Sequence, residues 1–297
     1  MTTGFAKLAQ LSLADNKLTG PVPATFVSQT LRYLDLSNNM LTGSIEFLTN
    51  FVNIKAARLD GNSFTGRLPD FSKLPKLRYL SVAQNQLTGY VPASLGELTG
   101  LKAVYLAGGN VFQGPAPEFG PSVQTDVMDA ASQGSFCRPE PGPCQESVTQ
   151  LLSVAAGFKF PAMLVASWRG NDPCDKWLGV HCDTSGAVTG INLCRLGLNG
   201  TVDPAIGNLS SLQAVLISDN NVTGVVPASI ASFASLRVLD ISDNAFTGTM
   251  PRLPKGVVLW AQGNPELQVP AASSSPAITL PGASKLISEK CGVYMNR

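Results

Sequence analysis

The sequence has few charged residues and almost no histidine. Charged residues make up 14% of the 297 positions and the formal net charge is +1. That balance gives no electrostatic reason to expect binding to nucleic acid or to an anionic membrane surface. His181 is the one histidine, which excludes a metal site built from several histidines and disfavours histidine-based catalysis. No apolar run approaches the ~20 residues that a membrane-spanning helix needs.

The sequence also has no recognisable catalytic signature. A glycine-rich phosphate loop is missing, and so are the Val-Ala-Ile-Lys, His-Arg-Asp and Asp-Phe-Gly motifs of a protein kinase. Asp35 and Asp60 could be taken for a carboxylate pair, but they fall in different columns and nothing indicates a pocket around them. His181 lies between Val180 and Cys182, where a structural role is favoured. We therefore predict no enzymatic activity for this chain, no cofactor and no metal.

The chain contains an internal repeat. With small variations, Leu-x-x-Leu-x-Leu-x-x-Asn-x-Leu-Thr-Gly-x-Val/Ile-Pro occurs four times before residue 100, with asparagines 23 residues apart, and returns in two copies after residue 200. Leu101 and Leu259 begin worn copies, whose asparagines are Asn110 and Asn264. The asparagines of the well-kept copies are predicted to form a structural ladder: Asn16, Asn39, Asn62, Asn85, Asn220 and Asn244.

Each part of the repeat has a physical explanation. The Leu-x-Leu pair has a period of two residues, which predicts a short strand with both leucines inside. One such strand cannot bury its apolar face alone, so stacked copies form a parallel ladder over one continuous core. The asparagine amide offers two donors and an acceptor to backbone groups of the turn, and leaving such a group unsatisfied costs about 1–3 kcal/mol. The Thr-Gly pair then turns the chain.

The repeats are interrupted once. We predict a first repeat block, a non-repeat island with an internal cap, a second repeat block and a flexible tail, over residues 1–114, 115–187, 188–270 and 271–297. Within the island, apolar residues at i, i+3, i+4 and i+7 from Val148 predict an amphipathic helix that ends near Gly157. Pro161 opens a second short helix that runs to about Ser167.

The repeat resembles the plant-specific leucine-rich repeat. That resemblance implies an α/β solenoid of two right-handed superhelical blocks with a parallel β-sheet on the concave face. The stretch from Trp168 to Cys182 matches Trp-x-Gly-x-Asp-Pro-Cys-x-x-Trp-x-Gly-Val-x-Cys, the N-terminal cap signature of plant leucine-rich-repeat receptors, although here it lies in mid-chain. The whole arrangement resembles the ectodomain of plant transmembrane-kinase (TMK) receptor-like kinases over roughly residues 8–270.

This resemblance implies extracellular recognition at the plasma membrane in auxin-linked signalling. The partners it implies are secreted auxin-binding cupin proteins or a co-receptor, with no nucleic acid. The chain begins within a repeat, without a signal peptide, membrane span or kinase motifs, so we expect a receptor fragment whose membrane contact depends on the missing span. The alternative is a secreted inhibitor or decoy similar to polygalacturonase-inhibiting proteins, which lack the internal cap.

Cysteines and glycosylation sequons both suit an oxidising, extracellular compartment. Spacing predicts two disulfides, Cys137–Cys144 and Cys174–Cys182. Zinc is the competing interpretation, but neither pair has the Cys-x-x-Cys spacing. Cys194 is expected to face outward, as a free thiol or joined to Cys291 or to another chain. The sequons begin at Asn199, Asn208 and Asn221.

The outward residues of the first block form two columns. One contains Ser12, Asp35, Arg58, Ser81 and Tyr105, and its neighbour contains Gln10, Tyr33, Ala56, Tyr79 and Ala103. Tyrosine and arginine dominate binding hot spots, so the candidate binding face is Tyr33, Arg58, Tyr79 and Tyr105. Strand propensity alone also explains exposed tyrosines, and that structural explanation stays open. Asp35 and Arg58 are expected to lie diagonally and to pair with little effect on stability.

Overall fold

The computed structural model describes residues 7–127, 136–138 and 140–270. The chain divides into two compact units, residues 1–144 and 145–297. The tail predicted over residues 271–297 lies outside the described residues. The boundaries at residues 114, 187 and 270 and the handedness of the superhelices stay predictions.

The first unit is built from short strands, two per repeat, of which the repeat pattern predicts only the first. One strand comes from the Leu-x-Leu segment and one from the Asn-x-Leu-Thr-Gly segment. The strands are β1 (Gln10–Ser12), β2 (Thr19–Pro21), β3 (Tyr33–Asp35), β4 (Met40–Gly43), β5 (Ala56–Arg58), β6 (Ser63–Gly66), β7 (Tyr79–Ser81), β8 (Gln86–Tyr90), β9 (Ala103–Tyr105), β10 (Val111–Gln113) and β11 (Gln124–Thr125). Helix α1 (Ala93–Gly96) and 3-10 turns at Glu46–Asn50 and Phe71–Lys73 return the chain.

These strands form two parallel sheets. The Leu-x-Leu strands stack in the order β1-β3-β5-β7-β9-β11, and the second strands in the order β10-β8-β6-β4-β2. The register within the first sheet confirms both predicted columns, since each column residue lies opposite the next. Three of the inward residues, Leu34, Ala57 and Leu80, are at most 2% exposed and belong to one continuous core. The Thr-Gly pair, which was predicted to turn the chain, lies within the second strand of the repeat, and glycine is required there because Gly89 in β8 has φ +88°, where a side chain would be strained.

The asparagine ladder joins each turn to the preceding repeat. The Asn85 amide donates to the carbonyls of Leu59, Val82 and Ala83 at 3.0–3.1 Å, and its oxygen accepts from Phe64 N–H at 2.9 Å. Asn110 bonds the preceding repeat through Leu87 in the same way, so the worn copy keeps its ladder position. Further asparagines that bond across repeats are Asn39, Asn62, Asn220, Asn244 and Asn264. Asn16 donates to Leu13 and Ala14 in its own turn, and residues 1–6 before it lie outside the described residues.

The second unit begins with a cap and continues with repeats. Its helices are α2 (Glu146–Gly157) and α3 (Ala162–Ser167), which confirms both predicted helices, with 3-10 turns at Pro204–Asn208 and Ala228–Ser232. Its strands are β12 (Val180–Cys182), β13 (Val188–Asn192), β14 (Asn199–Gly200), β15 (Ala214–Leu216), β16 (Asn221–Val225), β17 (Val238–Asp240), β18 (Ala245–Thr249), β19 (Val258–Trp260) and β20 (Glu266–Gln268). They form two sheets, β12-β13-β15-β17-β19 and β14-β16-β18-β20.

The cap closes the open edge of the second unit's first sheet. Strand β12 pairs antiparallel with β13, while every other pair in that sheet is parallel. Trp168 and Trp177 stack at a centroid distance of 5.5 Å and are 1% and 3% exposed. Both indole N–H groups donate to backbone carbonyls, those of Leu178 and Arg169. Strand β13, the first repeat strand of the second unit, is thus covered by β12 and not left as an open edge.

All cysteines among the described residues are disulfide-bonded. Cys137 is joined to Cys144 and Cys174 to Cys182. Cys194 is disulfide-bonded as well, so the expectation of a free thiol is wrong. Cys291, one of the partners that the sequence left open, lies outside the described residues.

Removing the cap disulfide is expected to loosen the second unit only. In a Cys174→Ser, Cys182→Ser variant the unfolded chain regains the entropy of a short loop, worth about 2.5 kcal/mol. Hydrogen exchange should therefore lose protection more over residues 145–230 than over residues 10–110. The matched Cys137→Ser, Cys144→Ser variant should spare residues 145–230. Equal loss of protection in both units would contradict a separate cap.

Candidate functional site

The candidate face lies on the Leu-x-Leu sheet of the first unit. The structure brings three of its four residues into contact: the Arg58 guanidinium lies 5.1 Å from the centre of the Tyr79 ring, and the Tyr79 and Tyr105 rings are 5.7 Å apart. Tyr33 lies in the same column as Tyr79, with Ala56 between them. Its side chain is 44% exposed. The face is thus an arginine–tyrosine cluster with one further tyrosine beside it.

An ion pair orients Arg58. The residues of this pair, Asp35 and Arg58, lie directly opposite each other on β3 and β5 rather than diagonally, which corrects the sequence expectation. Their charged groups are 3.9 Å apart, and the side chains are 26% and 56% exposed. A pair this exposed contributes little to stability. Its effect is to limit the directions in which Arg58 points.

The two contacting tyrosines, whose rings are tilted by 51° to each other, have small neighbours in the sheet. Ser81 and Ala103, which alternate with Tyr79 and Tyr105, are 4% and 5% exposed. Burial raises the pKa of the Tyr79 phenol above its ordinary value, so the hydroxyl stays neutral and available as a donor. Gln124 on β11 adds a contact that the repeat pattern did not predict, because its Oε1 lies 3.5 Å from the Tyr105 hydroxyl.

The corresponding surface of the second unit is closed. Ala214, Leu216 and Val238 point outward by the repeat pattern, yet they are 4%, 8% and 2% exposed. They form an apolar cluster with Cys194 and Trp260. Tyr33, which points outward in the first unit, is by contrast 44% exposed.

The three sequon asparagines are exposed, as glycosylation requires. Asn199 and Asn221 lie opposite each other on β14 and β16, so glycans on both would be immediate neighbours. Asn208 ends the 3-10 turn Pro204–Asn208. Modification of all three stays a prediction.

The described part of the chain shows no candidate metal centre. Within it, no three His, Cys, Asp or Glu side chains converge as metal ligands. His181 lies on β12 beside a groove of only about 50 Å³, far below the size of a typical ligand pocket. None of the helices in these same residues has the length and apolar character to cross a bilayer.

Comparison with known families identifies both parts of the pattern. The leucine-rich-repeat family matches residues 30–51, 76–98 and 235–256. The leucine-rich-repeat N-terminal domain matches residues 144–183, which is the stretch assigned to the cap.

Curated relatives are plant receptor kinases. Receptor-like kinase TMK4 of Arabidopsis thaliana is 37% identical over 69% of this chain and 22% of its own length. Receptor-like kinase TMK2 of the same plant is 39% identical over 70% of this chain and 24% of its own length. Receptor protein kinase WSS1 of Oryza sativa subsp. japonica is 46% identical over 41% and 13%. The chain therefore spans about a quarter or less of the length of these relatives.

Solved structures with a similar chain path are plant receptors. The crystal structure of a TDR receptor aligns with 82% of this chain and 40% of its own, at 22% identity and a TM-score of 0.35. A chain of the BIR3–SERK2 complex from Arabidopsis thaliana aligns with 44% of this chain and 71% of its own length, at 26% identity and a TM-score of 0.36. The family matches show that the chain contains leucine-rich repeats and a leucine-rich-repeat N-terminal domain, and its sequence is similar to the plant TMK receptor-like kinases.

Proposed function

We propose that this chain is the extracellular recognition portion of a TMK-like receptor kinase and that it binds a protein partner on the first unit. The observation that carries this proposal is the cluster of Arg58, Tyr79 and Tyr105, with exposed Tyr33 beside it. The finer proposal is a role in auxin-linked cell-surface signalling. Its partner would be a secreted auxin-binding cupin protein or a co-receptor.

The chemistry of the cluster supports protein recognition. Tyrosine and arginine offer a large contact area together with hydrogen-bonding groups, and hot spots are enriched in both. Arg58 lies against Asp35 and Tyr79, so it has less rotamer freedom to lose when a partner binds. The rigid sheet holds all four side chains in a fixed spatial relation. A binding surface needs this preorganisation.

Features elsewhere in the chain support an extracellular setting. Disulfides persist in oxidising compartments, and the described cysteines are all paired. The exposed sequons agree with passage through the secretory pathway. In the intact receptor, recognition would take place outside the plasma membrane and a cytoplasmic kinase would transmit it.

Binding to a purified auxin-binding cupin protein tests the proposal. Surface plasmon resonance with the immobilised full chain, with and without auxin, should give a saturable signal. Arg58→Ala and Tyr79→Ala should each weaken binding about 30-fold, as expected for hot-spot residues that contribute about 2 kcal/mol. Each substitution removes a side chain that contacts the partner. It also leaves the other member of the Arg58–Tyr79 pair without its neighbour, so that this side chain is less well ordered for binding.

Arg195→Ala is the matched control, since Arg195 is also an exposed arginine paired with an aspartate, Asp219, but in the second unit. Its binding should be unchanged. If the cupin protein does not bind, the auxin-linked proposal fails. If it binds equally to all variants, the proposed face is wrong.

A further inference from the structure

A second surface of the first unit carries an uncompensated row of positive charge. The residue just before each Leu-x-Leu strand is basic in four successive repeats: Arg32, Lys55, Arg78 and Lys102. Backbone hydrogen bonds of 2.7–2.8 Å link each of these residues to the next. The row therefore runs along the strand-entry edge, one cation per strand, over about 14 Å at the usual strand spacing.

A cavity of about 430 Å³ opens along this row. It is lined by Arg32, Asn53, Lys55, Pro75, Lys76, Arg78, Thr99 and Gly100, among which there are four cations and no carboxylate. Lys76 Nζ donates to Asn53 Oδ1 at 2.6 Å. Throughout the described ranges, no carboxylate forms an ion pair with any cation of the row. Like charges on adjacent strands repel, so the row favours an anionic occupant.

The basic row is specific to the first unit. In the second unit the same repeat position holds Thr189, Gln213, Arg237 and Val257, of which the first three are linked by backbone hydrogen bonds along the same edge. Only Arg237 is charged, so neither the leucine-rich fold nor its register requires basic residues there.

We infer that this edge binds a short, extended acidic peptide segment of a partner protein. Carboxylates are natural partners of arginine and lysine. An extended peptide advances about 3.3 Å per residue, so four or five residues span the row, and flexible lysine and arginine side chains accommodate the difference from the strand spacing. Asn53 and Thr99 supply side-chain groups that can bond to the peptide backbone.

The lining residues favour a peptide over the other linear anions. None of them is aromatic, whereas single-stranded nucleic acid is held by bases stacked on aromatic rings. Sugar rings are also commonly bound on aromatic faces. The formal net charge of +1 gives the chain no general attraction for polyanions, so the attraction is confined to this edge.

Fluorescence anisotropy with the oxidised full chain tests the inference. A fluorescein-labelled hexaglutamate peptide should bind at low salt, and binding should weaken as salt is added. The matched hexaglutamine peptide should not bind. Lys55→Gln combined with Arg78→Gln should weaken hexaglutamate binding about tenfold through loss of two surface ion pairs. These side chains lie on the surface, and circular dichroism checks that the variant stays folded.

Arg237→Gln, at the same repeat position in the second unit, is the matched control and should leave binding unchanged. Arg58→Ala should also leave it unchanged, which separates this edge from the aromatic cluster. Equal binding of hexaglutamine, or no loss in the double variant, would overturn the inference. Tighter binding of oligogalacturonate than of hexaglutamate would overturn it in favour of an acidic polysaccharide.

Discussion

Replacing Asn85 by alanine is expected to destabilise the first unit by about 3 kcal/mol. The substitution leaves the carbonyls of Leu59 and Val82 and the N–H of Phe64 without the amide that binds them. Unsatisfied buried groups cost about 1–3 kcal/mol each, and relaxation recovers part of the sum. Hydrogen exchange in increasing urea measures the effect, read from amides of residues 30–110.

Asn16→Ala provides the matched control for this prediction. Asn16 is exposed, and among the described residues its amide donates to Leu13 and Ala14 in its own turn. Its loss should cost about 0.5 kcal/mol, close to other surface substitutions. Equal costs for Asn16→Ala and Asn85→Ala would show that the bonds between repeats do not stabilise the solenoid.

Replacing Trp168 by alanine is expected to cost the second unit about 4 kcal/mol. Its indole is 1% exposed, stacks on Trp177 and donates to the Leu178 carbonyl at 2.9 Å. Truncating a buried aromatic residue leaves a cavity, and costs of about 3–5 kcal/mol are typical. The three tryptophans, Trp168, Trp177 and Trp260, all belong to the second unit. Tryptophan fluorescence in urea therefore reports on that unit alone.

Two variants control the Trp168 prediction. Met163→Ala, on helix α3, which ends just before Trp168, removes a side chain of a residue that is 41% exposed and should change stability by less than about 0.5 kcal/mol. Trp168→Phe keeps an aromatic ring against Trp177 and should lose less than the alanine variant. An unchanged urea midpoint for Trp168→Ala would mean that the cap does not stabilise the repeats behind it.

Much of the fold was predictable because every repeat has the same pattern of residues and therefore forms the same local structure. The period of two in Leu-x-Leu predicts a strand, and the common spacing predicts the two outward columns, although the directly opposite positions of Asp35 and Arg58 had been expected to be diagonal. Asn110 shows that the fixed spacing of the repeat asparagines is not required for their hydrogen bonds. It lies one residue late, yet bonds to Leu87 as its equivalents do. The glycines at residues 108 and 109, both at positive φ, absorb the extra residue.

The candidate surfaces were predictable only in part. The 23-residue spacing of Arg32, Lys55 and Arg78 is visible in the sequence and could have indicated the basic edge. The cavity along the basic edge forms only when the repeats stack and bring these side chains together. The absence of carboxylate partners within the described residues depends on the same packing. The contact of Arg58 with Tyr79 likewise joins residues from neighbouring repeats.

By itself the sequence determined the repeats, the parallel strands, the asparagine ladder and the cap, because periodicity and backbone hydrogen bonding act locally in every copy. Only the tertiary structure decided which outward faces stay exposed. Tyr33 in the first unit is 44% exposed, whereas Val238, outward in the second unit, is 2% exposed. The repeat pattern assigns a side chain to a face of the sheet. Packing between residues distant in the chain then determines whether that face meets water.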